Sequence, residues 1–184
     1  MSPPEICNFV MTQNVPLLLA KSEIKSNKQQ TTQKHKQQRQ DLSTCDWIQS
    51  TVIELSDYNI LVASIYNQRH TKLLKDYISF ISGMARIEGK QLIILGDLNA
   101  HHQLWHCRST NQDGRLLAQA INQTSMQVYN VPKPTRLVVA QPPSVIDLAI
   151  GTIPNLRAVP ILLLDGAAGW KLWSLHSTTI SINA

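Results

Sequence analysis

Residues 91–95 read Q-L-I-I-L, and this run limits strongly how the chain can fold. A strand that is apolar at successive positions carries apolar side chains on both faces, so both faces of its sheet need cover. Before it, residues 71–87 carry apolar side chains at spacings of three and four, with Gly89 just beyond. That spacing predicts an amphipathic helix that stops at the glycine. Together the two segments predict a buried sheet covered by helices.

The rest of the chain adds more strands than helices. Residues 47–55 and 59–66 are rich in β-forming residues, and the turn residues between them predict an antiparallel hairpin. Residues 114–123 predict a second, shorter helix. Further strands are predicted at residues 15–20, 126–131, 145–150, 159–164 and 178–182. We therefore expect one domain over residues 1–184, of the α/β (α+β) class, built as a sandwich of two mixed β-sheets flanked by helices.

The formal net charge of +5 is concentrated in residues 21–40, a Gln/Lys-rich tract with six basic residues and one acidic residue. Such a tract has too few apolar residues to offset the entropy of ordering, which predicts a flexible loop. A loop that contacts nucleic-acid phosphates is the functional alternative.

The sequence also bears on the compartment. No run approaches the roughly 18 apolar residues of a membrane span, and the first residues lack the pattern of a signal peptide. The three cysteines are widely spaced, which is typical of free thiols. We expect an intracellular protein that does not enter membranes.

Asp97 and Asn99 follow the apolar strand with one residue between them. If the chain stays extended, both side chains lie on the same side, where a carboxylate and a carboxamide suit phosphodiester hydrolysis. The alternative is ordinary loop chemistry, which also favours Asp and Asn. Asp147 lies in an apolar run and needs a partner if it is buried, whereas His176, taken alone, is more typical of a structural or exposed histidine.

Four sequence boxes occur in a consistent order. Residues 96–102 read G-D-L-N-A-H-H and are followed by Trp105; the others are N-Q-D-G-R-L-L at 111–117, P-T-R with S-V-I-D-L at 134–136 and 144–148, and S-L-H at 174–176. In this order they resemble the endonuclease/exonuclease/phosphatase superfamily, and in particular the apurinic-endonuclease-like domain of Jockey-type non-LTR retrotransposons. The resemblance extends over residues 46–184 and more weakly to the N-terminus.

The resemblance implies a DNA endonuclease that uses Mg²⁺ or Mn²⁺, with DNA as substrate and a nuclear location. It implies that Asp97 acts as the base and as a metal ligand, and that Asn99 orients the nucleophile or the phosphate. It also implies that His176 hydrogen-bonds the scissile phosphate, that Tyr66 lies near it, and that Asp147 positions the site.

Residues 4–25 resemble the family's first helix, next strand and metal-binding box, which makes Glu23 a candidate Mg²⁺ ligand. The alternative for Glu23 is a charge that opens the solvated tract.

Three departures from the family pattern indicate an impaired enzyme. Leu175 replaces the carboxylate that the resemblance assigns to holding the ring of His176. The chain between Glu23 and Trp47 is shorter than the family pattern, which implies an incomplete N-terminal part, and the proline pair after Tyr66 is missing. The alternatives are therefore a catalytically dead remnant or weak nucleic-acid-binding domain, and a phosphatase or sphingomyelinase on the same core.

The loop after Asn99 holds a cluster that resembles a zinc site: His101, His102, His106 and Cys107. Because the family also has histidine or lysine here, we expect a loop at the mouth of the site rather than bound zinc. Trp105 is expected to pack in the core rather than to stack on bases.

Overall fold

The computed structural model of the chain describes residues 6–11, 16–17, 36–42, 48–68, 71–136, 144–162 and 171–177. These residues form two α-helices, α1 (Thr71–Ile87) and α2 (Gln112–Gln123). They also form ten strands: β1 (Ile6–Met11), β2 (Pro16–Leu17), β3 (Lys36–Gln38), β4 (Ile48–Leu55), β5 (Ile60–Asn67), β6 (Gln91–Asp97), β7 (Gln127–Val128), β8 (Asp147–Gly151), β9 (Leu156–Leu162) and β10 (Lys171–Ser177). Within this part of the chain no helix is long and apolar enough to span a membrane.

Six strands make a mixed sheet in the order β3-β4-β5-β6-β8-β7. The predicted hairpin is confirmed as β4 and β5, which pair antiparallel around the turn at Ser56–Tyr58. The predicted helix is confirmed as α1, with Gly89 just beyond it at φ +65°. Strands β5 and β6 are parallel, and α1 carries the chain back between them. The carboxyl ends of the two strands therefore lie at the same end of the sheet.

The two faces of this sheet are covered differently. Alternate residues of β5, β6 and β8, such as Ile65, Ile94 and Leu148, join α1 and α2 in the main core. The residues between them, such as Ile93 and Ala149, form a second, smaller cluster on the opposite face. The apolar strand therefore buries both of its faces, as its sequence predicts.

The second sheet has four strands in the order β2-β1-β10-β9. All of its pairings are antiparallel, so this sheet is not mixed as we expected. The resemblance implied a helix followed by a strand within residues 4–25, whereas Ile6–Met11 near the start of that segment form a strand. Lys171–Ser177, for which no strand was predicted, form β10 between β1 and β9, whereas predicted strand 178–182 lies outside the described residues.

The end of the basic tract also differs from the prediction. Residues 18–35 lie outside the described part of the chain, but Lys36–Gln38 form β3 and pair with β4 at the edge of the six-stranded sheet. All three residues are exposed. An edge strand gains backbone hydrogen bonds without burying side chains, so its composition gives no apolar signal.

Candidate active site

Tyr66, Asp97 and Asp147 lie side by side at one end of the strands of the six-stranded sheet. Tyr66 of β5 pairs with Asp97 of β6, and Asp97 pairs with Asp147 of β8. Because strand residues alternate between faces, these three share the face of Ile93 and Ala149, opposite the helices. Directly paired residues have Cβ atoms about 4.5–5.5 Å apart. The register therefore brings a phenol and two carboxylates into one row.

The row is graded in exposure, from a phenol open to solvent to a covered carboxylate. The exposed fraction is 42% for Tyr66 and 2% for Asp147, and Asp97 between them is half-buried. Asp147 is the first residue of β8 and so lies at the end of this strand, not inside it as its sequence context suggested. Tyr66 is therefore open to solvent and Asp97 partly so, whereas Asp147 at the other end of the row is covered.

Two buried polar residues fix the backbone around Asp147. The hydroxyl oxygen of Thr135 accepts hydrogen bonds from the backbone N–H groups of Ile146 and Asp147, both at 3.0 Å. The amide of Asn130 donates to the Asp147 carbonyl at 3.0 Å, and its oxygen accepts from the N–H of Ala149 at 2.8 Å. The start of β8 is therefore held on two sides by side chains that sequence reasoning did not single out.

Asn99 reaches the site by a different route from the one predicted. Strand β6 ends at Asp97, and Asn99 has a left-handed backbone with φ +47°, so the extended alternation does not continue to it. Its N–H donates to Oδ1 of Asp97 at 3.0 Å, and its side-chain amide donates to the Asn67 carbonyl at 2.7 Å. Asn99 thus links the ends of β5 and β6 and touches the Asp97 carboxylate through its backbone.

Asn111 ties this loop to the start of α2. Its Oδ1 accepts from the N–H of Gly114 at 2.7 Å, which caps the helix, and from the N–H of His101 at 3.0 Å. Its Nδ2 donates to the Asn99 carbonyl at 3.3 Å. Asn111 lies in the N-Q-D-G-R box and Thr135 in the P-T-R box, so the matching boxes did contain a signal for both.

The histidine-rich loop is a structural turn. His102 accepts from the N–H of Leu104 through Nδ1, and the buried thiol of Cys107 contacts the Val145 carbonyl. Within the described residues no group of three or more His, Cys, Asp or Glu side chains is arranged to hold a metal. Trp105 is fully buried and donates to the Ala100 carbonyl at 3.0 Å, which confirms its predicted packing role.

His176 lies in β10, where it pairs with Ile6 of β1 and Arg157 of β9. It is therefore within a strand, not before one as its sequence suggested. Leu175 is the preceding position of the same strand. Glu23 lies outside the described residues.

The donors that are brought together suit a hard cation. Asp97 and Asp147 offer carboxylate oxygens at paired positions, and Asn99 adds a carboxamide and a carbonyl nearby. An oxygen-only set fits Mg²⁺ or Mn²⁺ better than zinc, which favours nitrogen and sulfur. The ion expected from the resemblance is therefore compatible with the residues present.

Comparisons with known proteins bear on both the sequence and the fold. The family described as endonuclease–reverse transcriptase matches residues 60–177. A probable RNA-directed DNA polymerase from transposon BS of Drosophila melanogaster is 29% identical over 116 residues, which are 62% of this chain but only 12% of that protein. The endonuclease domain of TRAS1, a telomere-specific non-LTR retrotransposon, has a similar fold, with a TM-score of 0.56 and 17% identity over 79% of this chain and 68% of that one. Because the family match spans more than half of the chain, this protein belongs to the endonuclease–reverse transcriptase family and has the endonuclease/exonuclease/phosphatase fold of a non-LTR retrotransposon endonuclease domain.

Proposed function

We propose that this domain is a metal-dependent phosphodiesterase that nicks DNA, with a rate reduced by the substitution at Leu175. The observation that carries the proposal is the register that sets Tyr66, Asp97 and Asp147 side by side on one face of the sheet. The exposed end of that row is open to a nucleic-acid strand. The family to which the chain belongs supports the same class of reaction.

In this proposal each residue has a distinct task. The Asp97 carboxylate takes a proton from the attacking water, whose oxygen bonds to phosphorus as the bond to the leaving oxygen breaks. Asn99 holds that carboxylate through its backbone N–H, which fixes the direction of its lone pairs. The Tyr66 phenol contacts a phosphate oxygen, and His176 stabilises the charge that develops on it.

A divalent cation completes the proposed site. Asp97 would hold it, with Glu23 as the further ligand that the resemblance implies. When bound, such an ion supplies positive charge that offsets the charge on the phosphoryl oxygens. Asp147, the covered member of the row, keeps the neighbouring groups in position.

The second candidate is a catalytically dead domain that binds nucleic acid weakly. The observation that favours it is Leu175, at a position where the resemblance implies a carboxylate. The loss of a carboxylate that orients or charges an active site lowers rates by orders of magnitude in well-studied hydrolases.

Plasmid nicking with Mg²⁺, and with EDTA as the metal-free control, tests both candidates. We expect weak nicking by the unmodified protein and an increase of about tenfold or more in Leu175→Asp. Adding Asp97→Asn should abolish nicking, because this change removes the charge but keeps the oxygen that accepts from Asn99. Asp57→Asn, at an exposed turn away from the row, is the matched control and should nick normally.

Two outcomes would contradict parts of the proposal. Nicking that persists in Asp97→Asn would show that the row is not the active site. If neither the unmodified protein nor Leu175→Asp nicks, the dead-remnant candidate stands in place of the enzyme.

A further inference from the structure

Residues 131–134, V-P-K-P, form a short projecting segment beside the candidate site, which we name the 131–134 tip. The chain is anchored on both sides of it. Before the tip, the Asn130 side chain bonds to the backbone of β8. After it, Thr135 bonds to the start of β8, and Arg136 and Ser144 exchange backbone hydrogen bonds of 2.9 and 3.2 Å. Both ends of the 131–134 tip are therefore fixed by hydrogen bonds.

The backbone of the 131–134 tip is also stiff. The N–H of Lys133 donates to the Val131 carbonyl at 2.7 Å, which closes a tight turn centred on Pro132. Prolines on both sides of Lys133 restrict the backbone further, since each fixes its own φ near −65°. Pro132, Lys133 and Pro134 are all exposed. The tip therefore presents one ammonium group to solvent from a rigid support.

This cation is close to the row of site residues. Thr135 is two residues beyond Lys133, and its hydroxyl oxygen lies 3.0 Å from the Asp147 nitrogen. Two residues of chain span at most about 7 Å. Within the described residues Lys133 makes no ion pair, so its charge is available to a ligand.

The negative charges of the site make the positive charge of Lys133 favourable for binding a phosphate. Asp97 and Asp147 are both carboxylates, and a DNA phosphate that approaches them is repelled unless positive charge is nearby. A lysine on a stiff support supplies such charge without the entropy loss of ordering a flexible loop. An exposed lysine near the row can therefore offset this repulsion.

We propose that the 131–134 tip is a DNA-backbone anchor, in which Lys133 contacts a phosphate next to the one that is cleaved. The inference rests on the proposed function, since it assumes that DNA is the substrate. A lysine that contacts a phosphate adds affinity that does not depend on base sequence.

The test measures the affinity of the intact protein for a fluorescein-labelled DNA duplex by anisotropy in EDTA, so that no cleavage occurs. Lys133→Ala should raise Kd on the order of fivefold and reduce the slope of log K against log salt by about 0.9, the loss of one phosphate contact. Lys133→Arg should restore both values. Replacing Pro132 and Pro134 together by glycine should raise Kd while leaving the slope unchanged, because the charge is kept and only the rigidity is lost.

Arg86→Ala is the matched control, since Arg86 is an exposed cation in the last turn of α1, beside the start of β6 and away from the row. It should leave both values unchanged. If Lys133→Ala binds with the Kd and slope of the unmodified protein, the anchor is wrong while the proposed function stands. If Arg86→Ala has the same effect as Lys133→Ala, the charge effect is general and the anchor is also wrong. If the unmodified protein does not bind DNA at all, the proposed function fails, and the anchor fails with it.

Discussion

Gly96 shows how a single residue allows the candidate site to form. Its φ is +153°, and a Cβ added there would lie 1.8 Å from the carbonyl oxygen of Ile65 on the neighbouring strand. Any side chain would therefore push β5 and β6 apart just before Tyr66 and Asp97. The glycine of the G-D-L-N box is needed for this close approach.

We predict that Gly96→Ala lowers the free energy of unfolding by about 2–3 kcal/mol or more, because the backbone of a central strand must shift. Gly83→Ala is the control, since Gly83 lies within α1 and an added Cβ meets nothing within 4 Å. That change should instead stabilise the protein by about 0.5–1 kcal/mol through helix propensity. Urea unfolding measures both. Equal effects of the two substitutions would contradict the role assigned to Gly96.

The loop from Asn99 to Asn111 is the element that connects the site to the helical layer. It begins at the Asn99 backbone beside Asp97 and ends at Asn111, which caps α2. The same Asn111 side chain bonds to Asn99 and to His101. The loop is therefore closed on itself by one carboxamide that also starts a helix.

Asn111→Ala should lower the free energy of unfolding by about 1–2 kcal/mol, because a helix cap and two loop contacts are lost. Asn111→Asp keeps the oxygen that accepts from Gly114 and His101 but loses the donor to Asn99. We expect it to keep most of the stability while the loop alone is loosened, which hydrogen exchange at the Asn99 amide can detect. Destabilisation by aspartate as large as that by alanine would show that capping is not the main term.

At the scale of the whole molecule, the two ends of the six-stranded sheet are specialised differently. One end carries the row of site residues, and the other carries ion pairs between Arg39 and Lys90 on one side and Glu54 and Glu88 on the other. Each of these two carboxylates pairs with both cations. Arg39 bonds to both oxygens of Glu88 at 2.8 Å, which joins the chain after β3 to the end of α1. These ion pairs add to the backbone pairing of β3 with β4, since the edge strand offers no apolar side chains.

The Arg39 guanidinium, with Lys90, holds the pKa of Glu88 at about 2, against an ordinary value of 4.5. A lowered pKa in the folded state stabilises the protein above about pH 4.5, and this contribution is lost as the pH falls towards 2. We predict that Glu88→Gln lowers the free energy of unfolding by about 1–2 kcal/mol at neutral pH, because Glu88 is only partly screened by solvent. The difference from the unmodified protein should shrink as the pH falls from 4.5 and should be nearly lost below about pH 2.

Urea unfolding at neutral pH and at several acidic values checks this, with Asp57→Asn as a control at an exposed carboxylate. A gap between Glu88→Gln and the unmodified protein that stays constant down to the lowest pH would exclude the charge network as its cause.

Much of the architecture was accessible from the sequence because it depends on local patterns. The period of α1, the apolar run of β6 and the turn between β4 and β5 each reflect side-chain burial within one segment. Strands with weak local signals were missed or misplaced. β3 is polar because it lies at an edge, and β10 was missed because strand pairing with β1 and β9 is not visible in its own composition.

The family can be recognised from the amino-acid sequence, because four boxes occur in order and carry the residues of the candidate site. Which of these residues lie next to one another depends on the folded arrangement of the strands. Tyr66, Asp97 and Asp147 are far apart along the chain, and it is the register of three neighbouring strands that aligns them. The supports at Asn130 and Thr135 likewise act through hydrogen bonds to β8 across the fold. A residue pattern encodes which face is buried, but long-range register follows from the packing of all the strands together.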